Sequence, residues 1–317
     1  VPEWHGQLRG AAPVAEEKFM PQVALLTVHG MGATPPDYAA TLFRGLRANP
    51  GVLPPDVDFR SVFYQDILKP NEEAVWTRAI THAPLHYAEL RRFLLFGFGD
   101  AAGLENRKEI DGSAYEMAQA AIATQLLDAF AWAPDTALVF LAHSLGGQVL
   151  SSYLYDAQKA GAGAPVGAGI WKDIDAWSLR ALRRRLDDAE LRFLSGASCS
   201  ALVTTGCNIP IFVASHRQMD IKPIAPLRPD FTWVNLYDLN DPLGWPLQPL
   251  SPGYAALVDD RVVNAGGGVL DWLLKSWNPW SHTAYWDAPA VLDVLAGLLR
   301  RAAGRDAFPD LPELRGP

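Results

Sequence analysis

Residues 137–142 read Ala-Leu-Val-Phe-Leu-Ala, and His143-Ser144-Leu145-Gly146-Gly147 carries the chain directly into a stretch with helical spacing that reaches Lys159. An unbroken apolar run of this length, closed by a turn, reads as a buried strand, and the segment after the turn as an amphipathic helix. The same beat recurs along the chain. Gln22 to Val28 is an apolar strand stopped by His29-Gly30, Asp37 to Leu46 is a helix ending near Asn49-Pro50-Gly51, and Val57 to Tyr64 is a second strand. Tyr115 to Phe130 sets Ala118, Ile122, Leu126 and Phe130 on one helical face before Pro134-Asp135. Residues 173–194 read as helical, Ala201 to Thr205 and Thr232 to Tyr237 as strands, and Pro289 to Arg301 as a last helix carrying Val291, Leu292, Leu295, Leu298 and Leu299. Strands alternating with helices predict an α/β fold, a mostly parallel sheet covered by helices on both faces.

At 317 residues, 49% of them hydrophobic, the chain has the apolar content to build one such domain over residues 1–317. Two segments break the rhythm. Residues 65–113, with Pro70, Pro84 and the run Phe93-Leu94-Leu95-Phe96-Gly97-Phe98, are expected to be an insertion, either a lid near the site or ordinary peripheral packing. Residues 161–198 are expected to be a second helical insertion, opened by a Gly-Ala stretch that suits a connection better than a phosphate loop. About 21 residues precede the first strand, too few for an extra antiparallel pair, which predicts a trimmed sheet.

Charge and cysteine content narrow the partners. A net charge of −8 without a basic stripe argues against nucleic acid and against anionic membranes. No stretch approaches the roughly 20 apolar residues of a membrane span. The expectation is therefore a soluble protein, with the cytoplasm ahead of secretion, although Val1-Pro2-Glu3-Trp4 leaves a removed or omitted leader open. Cys199 and Cys207 permit one local disulfide at most, and its presence is left open, as is the oligomeric state.

The chemistry centres on Ala142-His143-Ser144-Leu145-Gly146-Gly147. A nucleophile at the tip of a sharp strand-to-helix turn needs small residues two before and two after it, and Ala142 and Gly146 supply them. A serine capping a helix is the plainer reading of Ser144, weakened by the strand that precedes it. Acyl transfer also requires donors for the oxygen that becomes negative. The Leu145 amide, at the helix start, is one candidate, and the Met31 amide, presented by the His29-Gly30 turn, is the other.

On these motifs the chain resembles the α/β-hydrolase superfamily, in its lipase and esterase branches and among bacterial hydrolase-like proteins, from about Val23 to Leu299. Thr204-Thr205-Gly206-Cys207-Asn208-Ile209-Pro210-Ile211 is similar to a segment common in that group, as are Trp233-Val234-Asn235 leading to Asp241-Pro242-Leu243-Gly244, and His282 near Tyr285-Trp286. The resemblance implies the order serine, acid, histidine, which Ser144, Asp241 and His282 obey. Physical need agrees, since a serine hydroxyl requires an imidazole to take its proton and a carboxylate to orient that imidazole. Asp238, Asp259 and Asp260 stay open as rival acids, and His216 as the runner-up base. His29 and His143 are tied to the loops that carry them. Pro84 between His82 and His86 spoils the face that a zinc pair would use, and Cys207 lacks an elbow and reads as a packed thiol. No metal or cofactor is expected. The expected substrate is a small-molecule or lipid-like ester cleaved without a cofactor. Acyl transfer, thioester or amide cleavage on the same residues stays open, as does a catalytically silent fold that binds a lipid or a protein.

Overall fold

The computed structural model describes residues 23–32, 34–48, 53, 57–215, 221–265 and 282–304. Val1 to Trp4, Gln22, Asn49-Pro50-Gly51 and His216 lie outside them. The strands are β1 (Val23–Val28), β2 (Val57–Val62), β3 (Ala137–His143), β4 (Cys199–Thr205), β5 (Thr232–Tyr237) and β6 (Val258–Val262), and they form a six-stranded sheet in the order β2-β1-β3-β4-β5-β6. All neighbouring pairs are parallel. The helices are α1 (Ala40–Arg47), α2 (Lys69–His82), α3 (Ala88–Glu105), α4 (Ala114–Trp132), α5 (Leu145–Gly161), α6 (Ile174–Ala181), α7 (Asp188–Leu194), α8 (Ile209–Val213), α9 (Pro252–Leu257) and α10 (Pro289–Ala302). The predicted α/β class is thus observed.

Burial follows the two-residue period of the strands. From β1 and β3, Leu25, Val139 and Leu141 join Leu42 of α1 and Val291 and Leu295 of α10 on one face. Leu26, Phe140 and Ala142 join Ile122 and Leu126 of α4 and Val149 and Leu150 of α5 on the other. Burying each large side chain contributes roughly 1.5–3 kcal/mol, so the central strands specify both layers at once. A register shift where Leu138 pairs with Cys199 and Val139 with Ala201 puts Cys199 on the α4–α5 face and Ala201 on the opposite one.

The strand order positions the site. The chain leaves β1 toward β2 on one side, then crosses to build β3 to β6 on the other. In such sheets the connections on the two sides run over opposite faces, which opens a crevice at the carboxyl ends of the strands flanking the reversal. Those strands are β1 and β3, whose last residues, Val28 and His143, lead directly into His29 and Ser144.

Several local readings are corrected. The second strand stops at Val62 instead of Tyr64, and α5 begins at Leu145 because Ser144 is the turn itself. Residues 173–194 form two helices, broken before Asp187, whose side chain accepts from the Ala189 and Glu190 amides in a capping box. The sixth strand, β6, escaped because Asp259-Asp260-Arg261 disguises it. Cys199 and Cys207 are both free and buried. Residues 65–113 hold a short 3-10 turn at Gln65–Ile67, then α2 and α3, between β2 and α4. Among the described residues no helix is long and apolar enough to cross a membrane.

Candidate active site

Ser144 has φ 53° and ψ −122°, a backbone conformation that side chains rarely adopt and that carries on the order of 1–3 kcal/mol of strain. The Ser144 amide donates to Thr205 O at 2.9 Å, which ties the turn to the end of β4. Close approach of backbones accounts for the small residues beside it. A methyl group on Gly146 would strike the carbonyl oxygens of His29 and Val28, and one on Gly30 would sit 2.6 Å from Ser144 Cβ. Because the obstruction at Gly146 is main chain, Gly146→Ala is expected to destabilise the fold by roughly 1–3 kcal/mol. A lowered urea midpoint at unchanged slope would register it, and an unchanged midpoint would show that β1 and α5 separate freely.

His282 bridges the serine and the acid. Its Nε2 lies 2.6 Å from Ser144 Oγ, and its Nδ1 lies 3.0 and 2.9 Å from Asp241 Oδ1 and Oδ2. With the proton on Nδ1 donated to Asp241, Nε2 is left as an acceptor facing the hydroxyl. Asp241 has further donors: the Leu243 amide at 2.9 Å on Oδ1 and the Tyr285 hydroxyl at 3.0 Å on Oδ2. Burial pushes the Asp241 carboxyl up, but hydrogen bonding to His282 and its charge, aided by Leu243 and Tyr285, outweigh that and hold it below the usual carboxylate value. The group stays ionised, as a partner for an imidazolium should.

The three rival acids are occupied elsewhere. Asp238 accepts from the Asn240 and Ala265 amides, and Asp259 pairs with Arg261. Asp260 accepts from the Leu247 and Gln248 amides and from Asn235 Nδ2. Asn235 also donates to Trp245 O, and its Oδ1 accepts from Thr204, whose hydroxyl accepts from Trp233 Nε1. This chain of bonds pins the loop after β5 that carries Asp241 onto the ends of β4 and β6.

Neither His29 nor His143 competes as a base. Burial drives His29 down to about 4, with its Nδ1 donating to Gly30 O at 2.7 Å and its Nε2 accepting from the Tyr64 amide at 3.1 Å. Burial, then the neighbouring His282, drives His143 down to about 3, and its Nδ1 donates to Thr205 O at 3.1 Å. Both rings are neutral braces: His29 fixes the turn after β1, and His143 lies with its centroid 4.7 Å from that of His282. Met31 follows Gly30 beside Ser144, and Leu145 is the first residue of α5, where a helix amide has no intrahelical acceptor. His82 closes α2 and His86 lies in the next loop, both exposed, while buried Cys207 packs its Sγ on Gly147.

Two contributors were missed from the sequence. Tyr285 carried a motif signal but no role, and its hydroxyl both donates to Asp241 and accepts from the Asp238 amide at 2.9 Å. Asp100 carried no local signal, and it accepts from the Gly32 amide at 2.8 Å.

Among solved structures, an acetylxylan esterase is similar at 11% identity over 90% of this chain and 100% of its own, with a TM-score of 0.39. A cutinase-like protein from Cryptococcus sp. is similar at 12% identity over 91% of this chain and 98% of its own, with a TM-score of 0.38. The catalytic core domain of acetyl xylan esterase from Trichoderma reesei gives 11% identity, 90% and 100% coverage, and a TM-score of 0.37. These scores are too low to bear on the chemistry. No protein-family model matches the sequence, and no curated protein matches it.

Proposed function

We propose that this chain is a serine hydrolase that cleaves carboxylic esters through a covalent acyl-enzyme, with Ser144 as nucleophile, His282 as general base and then acid, and Asp241 orienting the imidazole. The observation that carries the reading is the His282 ring, hydrogen-bonded to Ser144 Oγ on one nitrogen and to Asp241 on the other. As Oγ attacks the ester carbonyl, its proton passes to Nε2, and the imidazolium gains charge beside an ionised carboxylate. The amides of Met31 and Leu145 take the developing oxyanion, and the N-terminal end of α5 adds its dipole. Collapse expels the alcohol with the proton from Nε2, and water repeats the sequence on the acyl-enzyme. Ser144 is wholly shielded from solvent and His282 nearly so.

Labelling with a fluorophosphonate tests the reading. One adduct per chain is expected, on Ser144 by peptide mapping, and none in Ser144→Ala. Absence of any adduct under conditions that label a known serine esterase would leave a silent binding fold in its place. Turnover of p-nitrophenyl esters of increasing acyl length, beside a thioester and an anilide, then ranks the leaving groups, with the ester expected first.

A further inference from the structure

Beneath the turn that carries Gly30, Met31 and Gly32 lie two carboxyl groups that the chemistry above does not use. Asp100, on α3, accepts from the Gly32 amide at 2.8 Å through Oδ2 and from Gln65 Nε2 at 3.3 Å through Oδ1. Glu72, on α2, is buried, and among the described residues neither of its carboxyl oxygens has a donor to accept from. Asp100 stands within hydrogen-bonding reach of it. The packing there is tight: a methyl group on Gly99 would sit 2.7 Å from Glu72 Oε1, and one on Gly97 would sit 2.7 Å from Met31 Sδ. So α3 touches the Met31 turn at two points, through a side-chain contact and through a hydrogen bond to the backbone.

Two ionised carboxylates pressed together in a buried place repel, and a carboxyl with no donor around it is most stable protonated. A neutral Glu72 has an O–H to donate to Asp100, which satisfies its own orphaned atoms and leaves Asp100 ionised to hold the Gly32 amide. We infer that Glu72 and Asp100 share one proton and so brace the Met31 turn, and that loss of this proton loosens the amide which the proposed function assigns to the oxyanion. Both residues are positioning residues, and this part of the inference rests on that function. The segment of residues 65–113 then serves as a support for the turn.

The other groups facing the pair leave the assignment intact. From α2, Glu73 adds negative charge, offset by its ion pair with Arg92 of α3. From the end of β2, Tyr64 is buried and stays neutral, its hydroxyl donating to His29 O at 2.7 Å, and neutral His29 stacks on its ring. Burial first, then the charge of Asp100, pushes the Glu72 carboxyl up to about 8, and burial pushes Asp100 up as well. The folded chain therefore holds the Glu72 proton more tightly than the unfolded chain. Its contribution to stability is complete below the ordinary glutamate value and is lost as the pH rises to about 8, after which the repulsion is fully present.

The test compares the wild type with Glu72→Gln and Asp100→Asn. Glutamine donates to Asp100 at every pH and has no proton to lose. Asparagine accepts from Gly32 and donates to Glu72, which favours the ionised carboxylate and moves its titration down, so each variant keeps the anchor without a shared proton. With kcat/KM for a p-nitrophenyl ester normalised to each protein's neutral-pH value, the wild type is expected to fall on the order of tenfold above about pH 8, mainly in kcat, and both variants to stay level. Hydrogen exchange of the peptide around residues 29–34, corrected for intrinsic rate, is expected to accelerate over the same range in the wild type alone. Exchange reads the brace even if no ester is turned over, whereas fluorophosphonate labelling of Ser144 reads the proposed function. Identical alkaline behaviour of all three proteins in exchange would overturn the shared proton. A wild-type exchange transition that the variants lack, with no matching fall in kcat, would overturn its link to the oxyanion.

Discussion

His282→Ala should lower kcat for an activated aryl ester by about a million-fold, and adding Ser144→Ala to it should lower kcat hardly further. The reason is that the two side chains are links in one proton path. Oγ and Nε2 are 2.6 Å apart, and without the imidazole the hydroxyl has no acceptor to leave its proton with. Once one link is gone the other contributes little, so the losses do not multiply. The surviving rate is the part that the oxyanion donors and substrate binding supply, on the order of a thousandfold over water. Steady-state kinetics on the two single variants and the double variant, with matched circular dichroism and melting temperature, give the answer. A double variant slower than either single one by a factor close to the product of their losses would mean that Ser144 and His282 act separately, and the acyl-enzyme reading would fall.

The second large effect is expected at Asp241. Asp241→Asn preserves shape while replacing one acceptor oxygen by an NH2 donor. The Leu243 amide at Oδ1 demands the acceptor end of the new side chain, which turns the NH2 toward His282 Nδ1 and the Tyr285 hydroxyl. An NH2 there makes Nδ1 the acceptor and moves the imidazole proton to Nε2, where it points at Ser144 and cannot receive a second proton. The expected loss is about ten-thousandfold in kcat, with KM nearly unchanged because the carboxylate touches no substrate. Asp238→Asn serves as the comparison, since among the described residues Asp238 accepts from backbone and Asn240 donors, and it should lose less than about tenfold. Equal losses at the two positions would remove Asp241 from the assignment. Nitrogen-15 spectra of His282 in both proteins would report the tautomer directly.

The readable and unreadable parts of this site differ in kind. The elbow was legible because its requirements are local: an apolar strand, small residues at Ala142 and Gly146, and a helix directly after the turn. The strands around it could be read from their alternation with helices, apart from β6, whose Asp259-Asp260-Arg261 core reads as polar loop, while their order in the sheet could not. Asp241 and His282 were reached through motifs and the demands of the chemistry, and the rivals Asp238, Asp259 and Asp260 were separable only by what each hydrogen-bonds to. The Tyr285 hydroxyl sits in a short 3-10 turn whose sequence gives no sign that it faces a carboxylate far back in the chain. Glu72 and Asp100 lie on separate helices, and only their packing under Gly32 makes them a pair.

The amino-acid order by itself therefore determined the α/β layering and the tight turn that carries Ser144, because strand and helix periodicities and the small residues of such a turn are properties of neighbouring positions. Which carboxylate meets His282, that Tyr285 supports it, and that two acids brace the Met31 turn were decided by the tertiary structure. Those pairings depend on how distant segments are brought within about 3 Å of one another, and hydrogen bonds that short leave no periodic trace in the chain.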